Sequence, residues 1–98
     1  KYETVLANDP QRKASQEFHV AGKYCESGDI LADAKLPLLK AGDILAMLDT
    51  GAYGYSMASN YNRNPRPAVV FAEDGKAQVV IRRESLEDLV HLDQDYNI

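Results

Sequence analysis

Ala68-Val69-Val70-Phe71-Ala72, then Glu73-Asp74-Gly75-Lys76, then Ala77-Gln78-Val79-Val80-Ile81-Arg82 is a pair of apolar, β-branched runs joined by Asp-Gly. That dipeptide readily takes the two positive φ angles of a tight hairpin turn. The stretch therefore predicts an antiparallel β-hairpin. Upstream of it, Asn60 to Pro67 is rich in asparagine, arginine and proline and cannot form the middle of a sheet, because proline has no N–H to give a ladder. Downstream, Ser85 with Asp88 three residues later is a helix-start pair, and Leu86, Leu89 and Val90 mark one apolar face. A short helix is expected there, followed by an acidic, solvated tail of Asp93 and Asp95.

The first half reads as more strands. Tyr2 to Asn8 is partly β-branched and stops at the turn signal Asn8-Asp9-Pro10. Gln11 to Gln16 is polar and reads as an exposed connection. Glu17 to Gly22 follows as a second strand, in which alternation turns His19 to solvent if Phe18 and Val20 face the core. Gly-Asp-Ile-Leu-Ala occurs twice, at Gly28–Ala32 and Gly42–Ala46. The spacing is too short for a usual structural repeat and reads as one turn chemistry used twice. Ile44 to Asp49 is a near-continuous apolar run, expected as a buried strand, and Tyr53 to Ser59 as a short helix or turn. The expected fold is mainly β: an antiparallel, Greek-key-like barrel or sandwich with one or two short helices, one of them near the C-terminus.

Composition bounds the function. Ninety-eight residues make a single domain over 1–98 and bury only roughly 60–65 % of the unfolded surface, too little for a self-contained cofactor enzyme. Fifteen acidic against 11 basic residues give a net charge of -4, and no basic stripe interleaves with aromatics, so a nucleic-acid partner is not expected. One cysteine permits no internal disulfide, and with only His19 and His91 beside it there is no zinc-like ligand set. No apolar run approaches the roughly 20 residues of a membrane span, and no signal-peptide h-region opens the chain. A soluble, cytoplasmic protein is expected.

Two stretches look built to present side chains. Cys25-Glu26-Ser27-Gly28-Asp29 sets the thiol beside a carboxylate, followed by a glycine able to take positive φ and an aspartate able to bond back to the turn. Thr50-Gly51-Ala52-Tyr53-Gly54-Tyr55-Ser56-Met57-Ala58-Ser59-Asn60-Tyr61-Asn62 places a tyrosine between glycines, where backbone can approach a bound group while the phenol points at it. Taken singly, these residues have ordinary readings: Cys25 a small buried hydrophobe, Glu26 a surface acid, Tyr53 a packing aromatic. Tyr55 and Tyr61 read as packing aromatics, Met57 as core filler, and Arg66, between prolines, as the brace of a loop.

Cys25-Glu26-Ser27-Gly28-Asp29, the Leu36-Pro37…Gly42-Asp43 spacing, Gly51-Ala52-Tyr53-Gly54, Met57 and Tyr61-Asn62…Pro65-Arg66-Pro67, in this order and from about Tyr2 to about Leu89, resemble the C-terminal β-domain of the diaminopimelate decarboxylase family. This family belongs to the pyridoxal-phosphate-dependent, alanine racemase-like fold group. The chain departs from its pattern at Thr50, Asn64 and Val69, where alanine, arginine and glutamate are more usual. None of these is a site residue.

The resemblance implies a C-terminal domain of a longer homodimeric enzyme that converts meso-2,6-diaminopimelate to L-lysine and carbon dioxide. Its N-terminal (β/α)8 barrel would hold most of the pyridoxal 5'-phosphate, and this chain alone would be inactive. By position Cys25 is implied as the proton donor, delivered to the neighbouring subunit's site. Glu26 is implied as a substrate contact gripping the distal ammonium, and Tyr53 as a contact to both cofactor and substrate. A decarboxylase of another basic amino acid, or a non-catalytic β-domain used for dimerisation, are the alternatives.

Overall fold

The computed structural model describes residues 3–98; Tyr2, expected to open the first strand, lies outside the described residues. The chain forms two compact units, Lys1–Tyr53 and Gly54–Ile98.

In the first unit, β1 (Thr4–Leu6) pairs antiparallel with β4 (Leu45–Met47), and β2 (Gln16–Ala21) with β3 (Ile30–Leu36). The β2–β3 ladder shows why these residues choose strand. Phe18 faces Ala34 and Val20 faces Ala32 across it, and these inward positions are the better covered ones. On the opposite face Glu17 stands against Lys35, unlike charges directly across a ladder that favour this register, and His19 stands against Asp33. His19 is exposed as alternation requires, and its ring Nδ1 meets the Asp33 carboxylate. β1 rests on β3, and the core of this unit is Leu6, Leu36 and Ala32, the two leucines each 1 % exposed. Thr4 is buried beside them and its hydroxyl donates to Met47 Sδ at 3.0 Å. β1 is shorter than Tyr2 to Asn8 because Asn8 leaves the strand to act through its side chain: Asn8 Oδ1 accepts the Ile44 N–H at 3.0 Å.

The repeated pentapeptide does use one chemistry twice. In each copy the aspartate N–H donates to a carbonyl three residues back, Asp29 to Glu26 at 3.0 Å and Asp43 to Lys40 at 3.1 Å. Each carboxylate also accepts an upstream N–H, that of Tyr24 for Asp29 and that of Lys40 for Asp43. The Lys40 N–H holds the Asp43 carboxyl below its ordinary range. The second copy does not open a buried strand: β4 is three residues long and half-buried, and Ile44 is exposed. A short ladder to β1 covers too little of an apolar run for burial.

A four-residue helix, α1 (Gly51–Gly54), follows β4. In the second unit a single irregular turn covers Tyr61–Arg63, with Asn62 and Arg63 both at φ +58. Next come β5 (Val69–Glu73) and β6 (Lys76–Ile81). The hairpin turns on Asp74 and Gly75, at φ +52 and +72, the doubly left-handed turn that Asp-Gly favours. α2 (Leu86–Val90) begins in a capping box: Ser85 Oγ accepts the Asp88 N–H, and the Asp88 carboxylate accepts the Ser85 N–H. Arg82 also pairs with Asp88 at 2.6 Å.

The fold is thus mainly β with short helices. Among the described residues its strands join as three separate two-stranded antiparallel sheets, not as a closed barrel. Closure would need ladder partners for the outer edges of these pairs, and none of the six strands gives a second edge to a neighbour. No helix among the described residues is long and apolar enough to cross a membrane.

Candidate functional site

The loop between β2 and β3 carries Cys25 and Glu26. Cys25 is exposed and takes φ +54, a left-handed conformation that a Cβ-bearing residue adopts at a cost of about 1–2 kcal/mol. The thiol is presented on a loop, as the reading of that stretch expects, and is not the buried hydrophobe that a cysteine taken singly would be. One detail differs: Gly28 does not take the positive φ; Cys25 does.

Gly28 is needed for a different reason. Its N–H donates to Glu26 Oε2 at 2.6 Å, and a Cβ in its place would sit 2.7 Å from that same oxygen. The Ser27 hydroxyl lies 3.4 Å from Glu26 Oε1. The carboxylate is thereby folded back over its own loop, with a contact to each oxygen, while the residue stays exposed. Lys23 Nζ lies 5.9 Å from the Tyr24 ring centre, so that cation has an aromatic partner at the base of the loop.

Tyr53 stands on a separate element, α1, and is 67 % exposed. A Cβ added at Gly51 would meet nothing within 4 Å, so this backbone has room for an approaching group. Cys25 and Glu26 therefore share a loop, and Tyr53 is supplied by the segment after β4.

The arginine-rich segment has another task. Arg66 Nε and Nη2 contact the two Glu84 carboxylate oxygens at 3.1 and 3.2 Å, and the Arg66 N–H donates to Glu84 Oε1 at 2.6 Å. Asn60 Nδ2 donates to the same oxygen at 2.7 Å, and the guanidinium lies 5.6 Å from the Tyr55 ring centre. The Arg66 guanidinium, its N–H and Asn60 together draw the Glu84 carboxyl down to about 2. Arg66 braces its loop, as its place between prolines suggests. Glu84 is the partner that sequence reading missed; the signal was an arginine fixed between prolines, which needs a carboxylate to hold it. Arg63 is committed likewise, to the Leu89 carbonyl at 2.9 Å and to Asp93 at 3.2 Å, so Asp93 is an ion-pair partner as well as a surface acid. Met57, expected as core filler, is 76 % exposed, and Tyr61 is half-exposed, because the turn that carries them packs no apolar layer of its own. No group of three metal-ligating side chains occurs among the described residues.

A small sheet domain with its candidate chemistry on loop and helix ends is the class this architecture defines. Residues 1–51 match the family described as "Pyridoxal-dependent decarboxylase, C-terminal sheet domain", and the chain belongs to it. Over 94 residues, 95 % of the chain, it is 61 % identical to the diaminopimelate decarboxylase of Halalkalibacterium halodurans and spans 21 % of that protein. The corresponding values for the diaminopimelate decarboxylase of Bacillus subtilis (strain 168) are 56 % identity, 95 % and 21 %. Among solved structures, diaminopimelate decarboxylase from M. jannaschii in co-complex with L-lysine matches with a TM-score of 0.78 at 32 % identity, over 96 % of this chain and 21 % of that one. The chain spans about a fifth of the length of these relatives.

Proposed function

We propose that this chain is the C-terminal domain, spanning 1–98 as one functional piece, of a cytoplasmic, homodimeric decarboxylase that converts meso-2,6-diaminopimelate to L-lysine and carbon dioxide. Its family, the names of its relatives and the L-lysine carried by a solved one support this reading. The observation that carries the assignment to the site is the exposed Cys25 on left-handed backbone beside an exposed, loop-tethered Glu26. Strain of this kind persists where the surrounding structure over-determines it, and it clusters at functional positions.

The residues fit part of a pyridoxal phosphate site. The Tyr53 hydroxyl can donate to a phosphate oxygen, whereas Arg63, Arg66 and Arg82 are each paired with a carboxylate and are not available as a phosphate cradle. The cofactor would therefore be held mainly by the barrel of the longer protein, whose remaining strands would also close the Greek-key-like β-barrel. When bound, pyridoxal phosphate supplies the electron sink that lets carbon dioxide leave.

This chain's residues supply the proton and a substrate contact. Cys25 Sγ–H gives its proton to the carbon that has lost the carboxylate, and the thiolate then regains one from water. The Glu26 carboxylate accepts a charge-assisted hydrogen bond from the distal ammonium, the group that separates a diamino acid from a simple one. The test is subunit mixing in the full-length enzyme. A Cys25→Ala subunit paired with one lacking the barrel's cofactor-binding lysine should rebuild one working site per heterodimer, since the lysine-less subunit brings the thiol. A verified heterodimer without activity would overturn the shared site.

A further inference from the structure

The β2–β3 loop is organised by a side chain that the proposed chemistry leaves unused. Asp29 Oδ2 accepts the Tyr24 N–H at 3.0 Å. The Asp29 N–H donates to the Glu26 carbonyl at 3.0 Å, and the Asp29 carbonyl accepts the Gly22 N–H at 2.8 Å. Tyr24 and Glu26 flank Cys25, so one residue holds the backbone on both sides of the strained position at φ +54. Gly22 is part of the same arrangement: a methyl group there would overlap both carboxylate oxygens of Asp29. The carboxylate lies tucked over the bare Cα of Gly22 and reaches the Tyr24 N–H only because no side chain intervenes.

In left-handed backbone the Cα–Cβ bond leaves the chain in a different direction from that of an extended residue at the same place. Whatever holds Cys25 there also aims its thiol. We propose that Asp29, seated against Gly22, is the positioning residue for Cys25: it clamps the Tyr24 N–H and the Glu26 carbonyl, imposes the left-handed turn between them and so directs the thiol. This deepens the reading of Cys25 as proton donor and rests on it for its catalytic meaning. The alternative is that Asp29 merely caps the end of the ladder, in which case the thiol would be indifferent to its loss.

Amide hydrogen exchange at Tyr24 and the rate at which Cys25 reacts with a neutral aromatic disulfide, both on the 98-residue chain, separate the two. In Asp29→Ala, Tyr24 exchange should quicken about tenfold or more, the cost of losing a hydrogen bond to a charged acceptor. The Cys25 rate should move to that of the urea-unfolded chain, while exchange in the centre of the β2–β3 ladder stays put. Asp29→Asn keeps an acceptor oxygen of the same reach and should rescue both readouts. Gly22→Ala should reproduce Asp29→Ala, and the double variant should add little to either single one. Both remove the same bond, that of the Tyr24 N–H to the Asp29 carboxylate, while the Asp29 N–H still holds the Glu26 carbonyl. An unchanged thiol rate in Asp29→Ala, an Asn variant that fails to rescue, or additive effects of the two positions would each overturn the proposal. The proton-donor reading fails separately: full turnover by Cys25→Ala in the full-length enzyme would remove it, whereas the exchange and thiol readouts would still report on the clamp.

Discussion

Replacing Leu36 by alanine truncates one of only two side chains in the described structure that are 1 % exposed. Leu36 closes β3, and its carbonyl accepts the Ser15 N–H at 2.9 Å. Leucine-to-alanine changes at buried sites cost about 2–5 kcal/mol, the sum of lost transfer energy and the cavity left behind. The buried apolar set among the described residues is small, Leu6, Ala32 and Leu36, so the expected loss is near the lower end, about 2–3 kcal/mol. That is a large share of the ~5–15 kcal/mol that holds an ordinary domain. The control is Ile30→Ala at the other end of the same strand, where the side chain is 65 % exposed and the expected cost is under about 0.5 kcal/mol. Urea unfolding reads both. With a slope of about 1–1.5 kcal/mol/M, Leu36→Ala should lower the midpoint by about 2 M without changing the slope. Equal midpoint shifts for the two variants, or a loss below about 1 kcal/mol for Leu36→Ala, would refute the view that Leu6 and Leu36 anchor this unit.

Other perturbations probe the remaining features. The Arg66 brace draws the Glu84 carboxyl down from 4.5 to about 2. Its contribution is thus complete above about 4.5 and is lost as pH falls from there toward 2, because the unfolded chain then binds the proton more readily. A carbon-13 titration of Glu84 with a midpoint near 4.5 would contradict the brace. At Cys25, glycine should keep stability within about 1 kcal/mol of the parent and valine should lose about 1–2 kcal/mol, since a β-branched residue tolerates positive φ worst. Thermal melts in which valine matches glycine would place Cys25 in extended backbone. Gly75→Ala meets no neighbour within 4 Å but must hold φ +72, so a pure backbone cost of about 1 kcal/mol is expected; an unchanged melting temperature would argue against the left-handed turn. Titrating the 98-residue chain with pyridoxal phosphate should produce no stoichiometric absorbance change, and a saturable one would show that this domain holds the cofactor by itself.

Much of the molecule was legible because its signals are local. Asp74-Gly75 sets its hairpin through dihedral preferences of two adjacent residues, and Ser85 with Asp88 caps α2 through bonds spanning three residues. Alternation over Glu17 to Val20 placed His19 outside for the same reason, since side-chain direction along a strand has period two. The Cys25–Asp29 and Gly51–Gly54 runs, in order with the Leu36-Pro37 and Pro65-Arg66-Pro67 segments, carried the family. Burial was harder to read. Met57 and Ile44 are apolar and adjoin apolar residues, yet both are exposed, because burial depends on what other elements arrive to cover them.

Local signals in the sequence gave five of the six strands among the described residues, the hairpin turn, the helix start and the family, all of which rest on neighbours within a few residues or on residue order. β3 (Ile30–Leu36) was not legible, because its Asp33 and Lys35 break the apolar run and its pairing with β2 is what makes it a strand. Only the tertiary structure decided that the strands pair two by two, that Glu84 answers Arg66, and that Cys25 instead of Gly28 takes the left-handed conformation. The first two depend on contacts between residues far apart in the chain, and the third on bonds within the 22–29 loop that the dihedral preferences of its residues do not encode. At Cys25 the loop is pulled from both sides by Asp29, and the clamp sets the backbone there against the intrinsic preference of a residue that carries a Cβ.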